Sequence, residues 1–145
     1  MPEFPAPKEG ILLTHFIVAA DVERSRRFYA DVLGGEVVYD GPPAIVQLAN
    51  SWVTINVGGG PTEDKPDVTL EPPRDLNQVT SFLNIRVADI HACYEMWKAR
   101  GAEFITPPIQ RASEIRCYMR DPDGRIIEVG QATEPRPAVA VLPPQ

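Results

Sequence analysis

The sequence predicts an α+β fold: two tandem βαβββ modules that face each other across a cleft. Three observations carry this. The segment from Phe16 to Glu36 is echoed by the segment from Asn84 to Glu103, and self-similarity at a fixed offset marks a repeated structural unit. Asp21 and Asp89, 68 positions apart, each stand between an expected strand and a stretch with apolar residues at helical spacing. A carboxylate there can accept from the unpaired N–H groups of a first helical turn. Gly34 and Gly101 close the two stretches, with one residue deleted in the second copy. Glycine suits the left-handed conformation that ends a helix.

The elements follow in order. Residues 1–10 mix prolines with charges and read as a loose N-terminal arm. Module one spans 11–57. Ile11 to Ala19 is a nearly unbroken apolar run, expected as a buried strand. Asp21 caps a helix whose buried face is Val22, Ser25, Phe28, Tyr29, Val32 and Leu33. Glu36 to Tyr39 is a short strand, and 44–48 with 52–57 a hairpin turning at Asn50-Ser51. Residues 58–78 are rich in glycine and proline and form the connection between modules, with 68–70 as a possible short strand. Module two spans 79–131. Val79 to Val87 is a strand, Asp89 a cap, and Ile90, Cys93, Tyr94 and Trp97 a helix face. Glu103 to Ile105 is a strand that Pro107-Pro108 interrupts. Strands at 114–119 and 125–129 flank Asp121-Pro-Asp-Gly124, a strong turn signal. Residues 132–145 are proline-rich and expected to be a flexible tail.

Bulk properties narrow the function. The 145 residues suffice for one compact domain or two interdependent halves. A net charge of −6 without basic clusters argues against nucleic-acid binding. No apolar stretch approaches the roughly 20 residues of a membrane helix, and the N-terminus lacks the charged and apolar regions of a signal peptide. A cytoplasmic protein with no membrane partner is the expectation. Cys93 and Cys117 are expected as buried free thiols rather than a disulfide. Gly58-Gly-Gly60 lacks the Lys-Ser/Thr of a phosphate loop.

Two motifs then matter together: Asp21-Val-Glu-Arg-Ser-Arg-Arg-Phe-Tyr-Ala-Asp-Val-Leu-Gly34 and Asp121-Pro-Asp-Gly-Arg-Ile-Ile-Glu128. Their combination resembles the glyoxalase/bleomycin-resistance/extradiol-dioxygenase (vicinal oxygen chelate) superfamily, over about residues 11–131. The resemblance implies paired βαβββ modules forming a curled mixed sheet around a cleft, a small-molecule ligand or substrate, and often a homodimer. It also implies, for the metal-using members, a divalent ion such as Zn, Ni, Mn or Fe that chelates two neighbouring substrate oxygens by Lewis-acid polarisation.

Glu128 matches the superfamily's carboxylate position, as a metal ligand or a general base. Its module-one counterpart is expected near Asn56, in Thr54-Ile-Asn56. The ligand histidine of metal-using members usually stands seven residues before the capping aspartate, and here those positions hold Thr14 and Phe82. His15 lies one residue away, and a one-residue step reverses the face of a strand. The 68-residue offset maps His15 onto Leu83, on the helix side. His15 reaches a metal only if a bulge reverses the strand. His91 reads as an exposed helix residue. Alternation sends Phe82, Asn84 and Arg86 to the cavity, with Arg116 and Tyr118 beside them and Thr14, Phe16 and Asn56 from module one. Arg86 or Arg116 can clamp a carboxylate or phosphate, or pair with Glu114, Glu71 or Glu128. The favoured function is small-molecule binding in the cleft with an incomplete metal site, and enzyme status stays open. The alternative is a metal-dependent lyase, isomerase or dioxygenase using Glu128 and possibly His15.

Overall fold

A computed structural model describes residues 3–134, in two compact units that divide between Pro72 and Pro73. Most of the expected tail, residues 135–145, lies outside the described residues.

In unit one, β1 (His15–Val18) leads to α1 (Val22–Arg27), then β2 (Glu36–Asp40), β3 (Ala44–Leu48) and β4 (Ser51–Asn56). The sheet order is β1-β4-β3-β2, with β1 parallel to β4 and the other pairs antiparallel. The Asp21 side chain accepts from the Arg24 N–H at 3.1 Å, the expected N-cap. After Arg27 the helix widens into a π-helical segment, Phe28–Val32, where the Leu33 N–H reaches the Phe28 carbonyl, five residues back, at 3.1 Å. A π-segment holds one residue more than an α-turn, so it absorbs the residue by which this copy exceeds the other. Ser25, Phe28, Tyr29 and Leu33 stay buried through it.

The first strand is shorter than its apolar run suggests. Ladder pairing starts only at His15 opposite Val53, and Ile11 and Leu13 are 85% and 83% exposed. One side of this sheet faces the helix. A Cβ at Gly35 would meet both Val46 Cγ1 and the Tyr29 carbonyl, so Val46 points toward the helical segment. Val46 pairs with Val53, and Val53 with His15. Directly opposite residues share a face. His15, Ile17, Val53 and Ile55 therefore occupy the helix side, and Phe16, Val18, Thr54 and Asn56 the open side.

Unit two repeats the plan: β5 (Leu83–Arg86), α2 (Ile90–Ala99), β6 (Glu103–Phe104), β7 (Ile109–Arg111), β8 (Glu114–Arg120) and β9 (Ile126–Ala132). The order is β5-β9-β8-β6, with β7 also on β8, and β5 parallel to β9. Asp89 caps α2 through the Ala92 N–H. Ile90 and Trp97 on α2 are buried, as are Cys117, Met119, Ile127 and Val129 on β8 and β9, and α2 packs against β9. β5 is again shorter than the strand expected over Val79 to Val87, with Val79 and Phe82 exposed ahead of it. Residues 109–111 form a strand the sequence reading did not include, because Pro107-Pro108 masks it. β9 extends through Ala132, into the segment read as tail. Gly34 and Gly101 have positive φ, 87° and 104°, as helix-terminating residues should.

Candidate functional site

The ladder registers bring three of the sequence-selected residues into one row. On the side of sheet two away from α2, Asn84 stands opposite Glu128, and Glu128 opposite Tyr118. The three side chains converge. Asn84 Nδ2 donates to Glu128 Oε1, and the Tyr118 hydroxyl donates to Glu128 Oε2. Glu128 is 9% exposed. Phe82 meets the Tyr118 ring edge-on, with centroids 6.1 Å apart and planes at 76°. Phe82 itself is exposed. The row is thus a carboxylate with both oxygens engaged, bordered by an aromatic wall.

Electrostatics fix the protons. Tyr118 is held above its ordinary pKa, first by the hydrogen bond it donates to Glu128, next by burial, and then by the Glu128 charge. Ionising the phenol would remove that donor and set two anions side by side. The phenol therefore contributes fully to stability below its unfolded-state pKa, and the contribution is lost as pH rises through the folded value. In a spectrophotometric titration, the phenolate signal missing from Tyr118→Phe should emerge above the ordinary tyrosine range. It should move back toward that range in Glu128→Gln. A Tyr118 transition at the ordinary position would contradict the bond.

One row further along the strands, Gly130 lies between Arg86 and Arg116. Arg86 Nη1 donates to Glu114 Oε1 at 2.7 Å, and Arg116 Nη1 stands 3.7 Å from Glu114 Oε2. In the opposite direction, a shallow cleft of about 300 Å³ is lined by Leu76, Phe104, Ile105 and Arg120 among others. Arg120 Nη1 is bound to the carbonyls of Leu76 and Gly124.

Unit one holds the same positions with other chemistry. The carbonyl of Asn56 accepts from the Ala19 N–H, as the Gly130 carbonyl does from Val87. Phe16 opposite Thr54 therefore matches Asn84 opposite Glu128. Within the stretch Thr54-Ile-Asn56, the register makes Thr54 the counterpart of Glu128. Asn56 accepts from the Val57 N–H through its own side chain. Thr14 is exposed just before β1, and Phe16 is half-exposed on the open side. His15 shares the other side with Val53 and Val46. His91 is exposed on the first turn of α2.

The donor set around Glu128 decides whether a divalent metal fits there. The positions on either side of Glu128 in its row hold an amide and a phenol, and Phe82 offers no imidazole. Among the described residues, no three of His, Cys, Asp and Glu come together in a manner that could hold a metal ion. These residues do not fit a chelated divalent cation. Cys93 and Cys117 are both free, Cys117 buried and Cys93 half-buried. Burial pushes the Cys117 thiol up to about 11, which makes it a poor nucleophile.

The paired units, the capped helices and the carboxylate on the last strand define a recognisable class. A family model for the Glyoxalase/Bleomycin resistance protein/Dioxygenase superfamily matches residues 12–129, and the chain belongs to that superfamily. Solved structures with the same fold include a glyoxalase/bleomycin resistance protein/dioxygenase from Nocardioides, 21% identical, with a TM-score of 0.69 and coverage of 93% of this chain and 92% of that one. A genomically encoded fosfomycin resistance protein from Listeria monocytogenes is 17% identical, with a TM-score of 0.63, covering 86% and 95%. An antibiotic-binding protein from Streptomyces sp. CB03234 is 18% identical, with a TM-score of 0.61, covering 88% and 99%.

Proposed function

We propose that this chain binds a small organic molecule on the open face of sheet two, with Glu128 as the acceptor that anchors a ligand N–H or O–H, and without recruiting a divalent metal. The observation that carries this is the Asn84–Glu128–Tyr118 row. A carboxylate has about four lone-pair directions, and the two protein donors occupy one on each oxygen. The remaining directions suit a ligand donor. Phe82 and Tyr118 add a surface for a flat ligand, since ring edges and faces attract aromatic partners. The fold likeness to an antibiotic-binding protein and a fosfomycin resistance protein is compatible with a pocket of this kind.

Glu128→Gln is the direct test. It keeps the shape and removes the charge. A thermal-shift panel of planar antibiotics, aromatic amines and small acids selects the binders. The affinity of a donor-bearing binder should then fall about tenfold to a hundredfold in Glu128→Gln, the worth of a hydrogen bond to a charged group. Treatment of the wild-type protein with a chelator should leave that affinity unchanged. Equal affinities for wild type and variant, or loss of binding on chelation, would overturn the reading.

A further inference from the structure

The open face of sheet two changes sign one row beyond Glu128. Arg86 and Arg116 flank Gly130 there, and both address the single carboxylate of Glu114. Two guanidiniums share one carboxylate, so the cluster carries an excess positive charge. Both stay accessible: the side chains of Arg86 and Arg116 are 50% and 35% exposed. A guanidinium offers five N–H donors, so two guanidiniums bring more donors than the one Glu114 carboxylate can take. Gly130 is what lets Arg86 lie flat on the sheet. A Cβ at that position would stand 2.0 Å from Arg86 Nη1 and 2.7 Å from Glu114 Oε1.

The repeat supplies an internal control. The matching row of sheet one holds Val18 opposite Asn56 and carries no charge. The fold does not require ions at this place. Exposed ion pairs also stabilise little, about 0–1 kcal/mol. A fold-stabilising role alone therefore gives no account of two arginines on one acid.

We propose that the Arg86–Arg116 row is an anion subsite for the ligand that Glu128 anchors. The ligand class follows from the spacing. The two rows are two residues apart along each strand, about 7 Å between their backbones. The fitting molecule has an amine or similar donor at one end, a carboxylate or phosphonate at the other, and a flat spacer between them. The proposal rests on the reading of Glu128 as the ligand anchor.

Calorimetric titration with simple probes tests it. The probes are benzylamine, benzoate, para-aminomethylbenzoate and para-aminomethylphenylphosphonate. At least one of the two-ended probes should bind about tenfold more tightly than benzylamine. That advantage should shrink as salt is raised. It should vanish in Arg86→Gln/Arg116→Gln, while benzylamine binds the double variant as it binds the wild type. Arg116→Gln alone, which keeps the Arg86–Glu114 pair, should lose part of the advantage; this variant guards against misfolding of the double one. A preference for the phosphonate or the carboxylate identifies the anion, and either supports the subsite. If benzylamine binds through Glu128 and neither anionic end adds affinity, the subsite is overturned and the Glu128 reading stands. If benzylamine and both two-ended probes fail to bind, both are overturned.

Discussion

Asp121→Ala lowers the unfolding free energy by about 3–5 kcal/mol, the usual result of removing one member of a buried ion pair. Asp121 is buried, and its carboxylate organises the whole β8–β9 turn. Oδ1 accepts from the N–H groups of Asp123 and Arg125 at 2.9 and 3.1 Å, and Oδ2 accepts from Arg125 Nη1 at 2.7 Å. The Arg125 side chain is itself largely buried and also makes a longer contact, 3.5 Å, to Asp123. Alanine thus takes the acceptor from two backbone donors and from a largely buried guanidinium nitrogen. The loss reaches the candidate site too, because this turn sets Tyr118 opposite Glu128. Urea unfolding measures the loss, and Asp121→Asn, which retains one acceptor oxygen, should show a smaller one. A change below about 1 kcal/mol would mean the turn holds itself without the carboxylate.

Trp52→Ala costs a comparable amount, about 3–5 kcal/mol, as large-to-small changes at buried aromatic residues do. Trp52 is 1% exposed although it lies on the open side of sheet one. The N-terminal arm covers it there. The indole Nε1–H donates to the Glu3 carbonyl at 2.6 Å, and the Glu3 N–H donates to Gln47 Oε1 at 2.8 Å. Phe4 meets the Tyr39 ring edge-on, with centroids 6.3 Å apart. Removing the indole takes away a core side chain and the arm's main attachment together. Urea unfolding should report the destabilisation. Limited proteolysis should cut the arm faster in Trp52→Ala than in the wild type. Unchanged proteolysis would mean that the arm is held independently of the indole.

The repeat made the architecture legible. Asp21, Asp89, Gly34 and Gly101 are local signals, because a cap or a terminator acts on the turn beside it, and each does what its type suggests. Strand ends were less legible. Ile11, Leu13, Val79 and Phe82 look like strand interior because they are apolar, but ladder pairing depends on partners far along the chain. Alternation gave the faces of β5 and β8, and so placed Asn84, Arg86, Arg116 and Tyr118 on one side. It did not give their convergence on Glu128, which needs the register of β9 against both neighbours. Part of that register was available: a hairpin closed by Asp121-Pro-Asp-Gly124 sets Tyr118 against Glu128 by counting outward from the turn. The burial of Asp121 had no such signal, since a turn aspartate reads as an exposed one. The counterpart of Glu128 was legible only to within Thr54-Ile-Asn56, because the sequence does not show where a parallel ladder begins; the register selects Thr54.

The wide segment at Phe28–Val32 bears on how such a chain can change over time. An extra residue in a uniform α-helix would turn everything after it by about 100°, with 3.6 residues per turn, and swing the buried side chains out of the core. Here the surplus is confined to one loose coil, and Tyr29 and Leu33 keep their seats. Helix length in this half is therefore a tolerated variable. The duplicated halves can drift apart in residue count while their sheets stay superimposable.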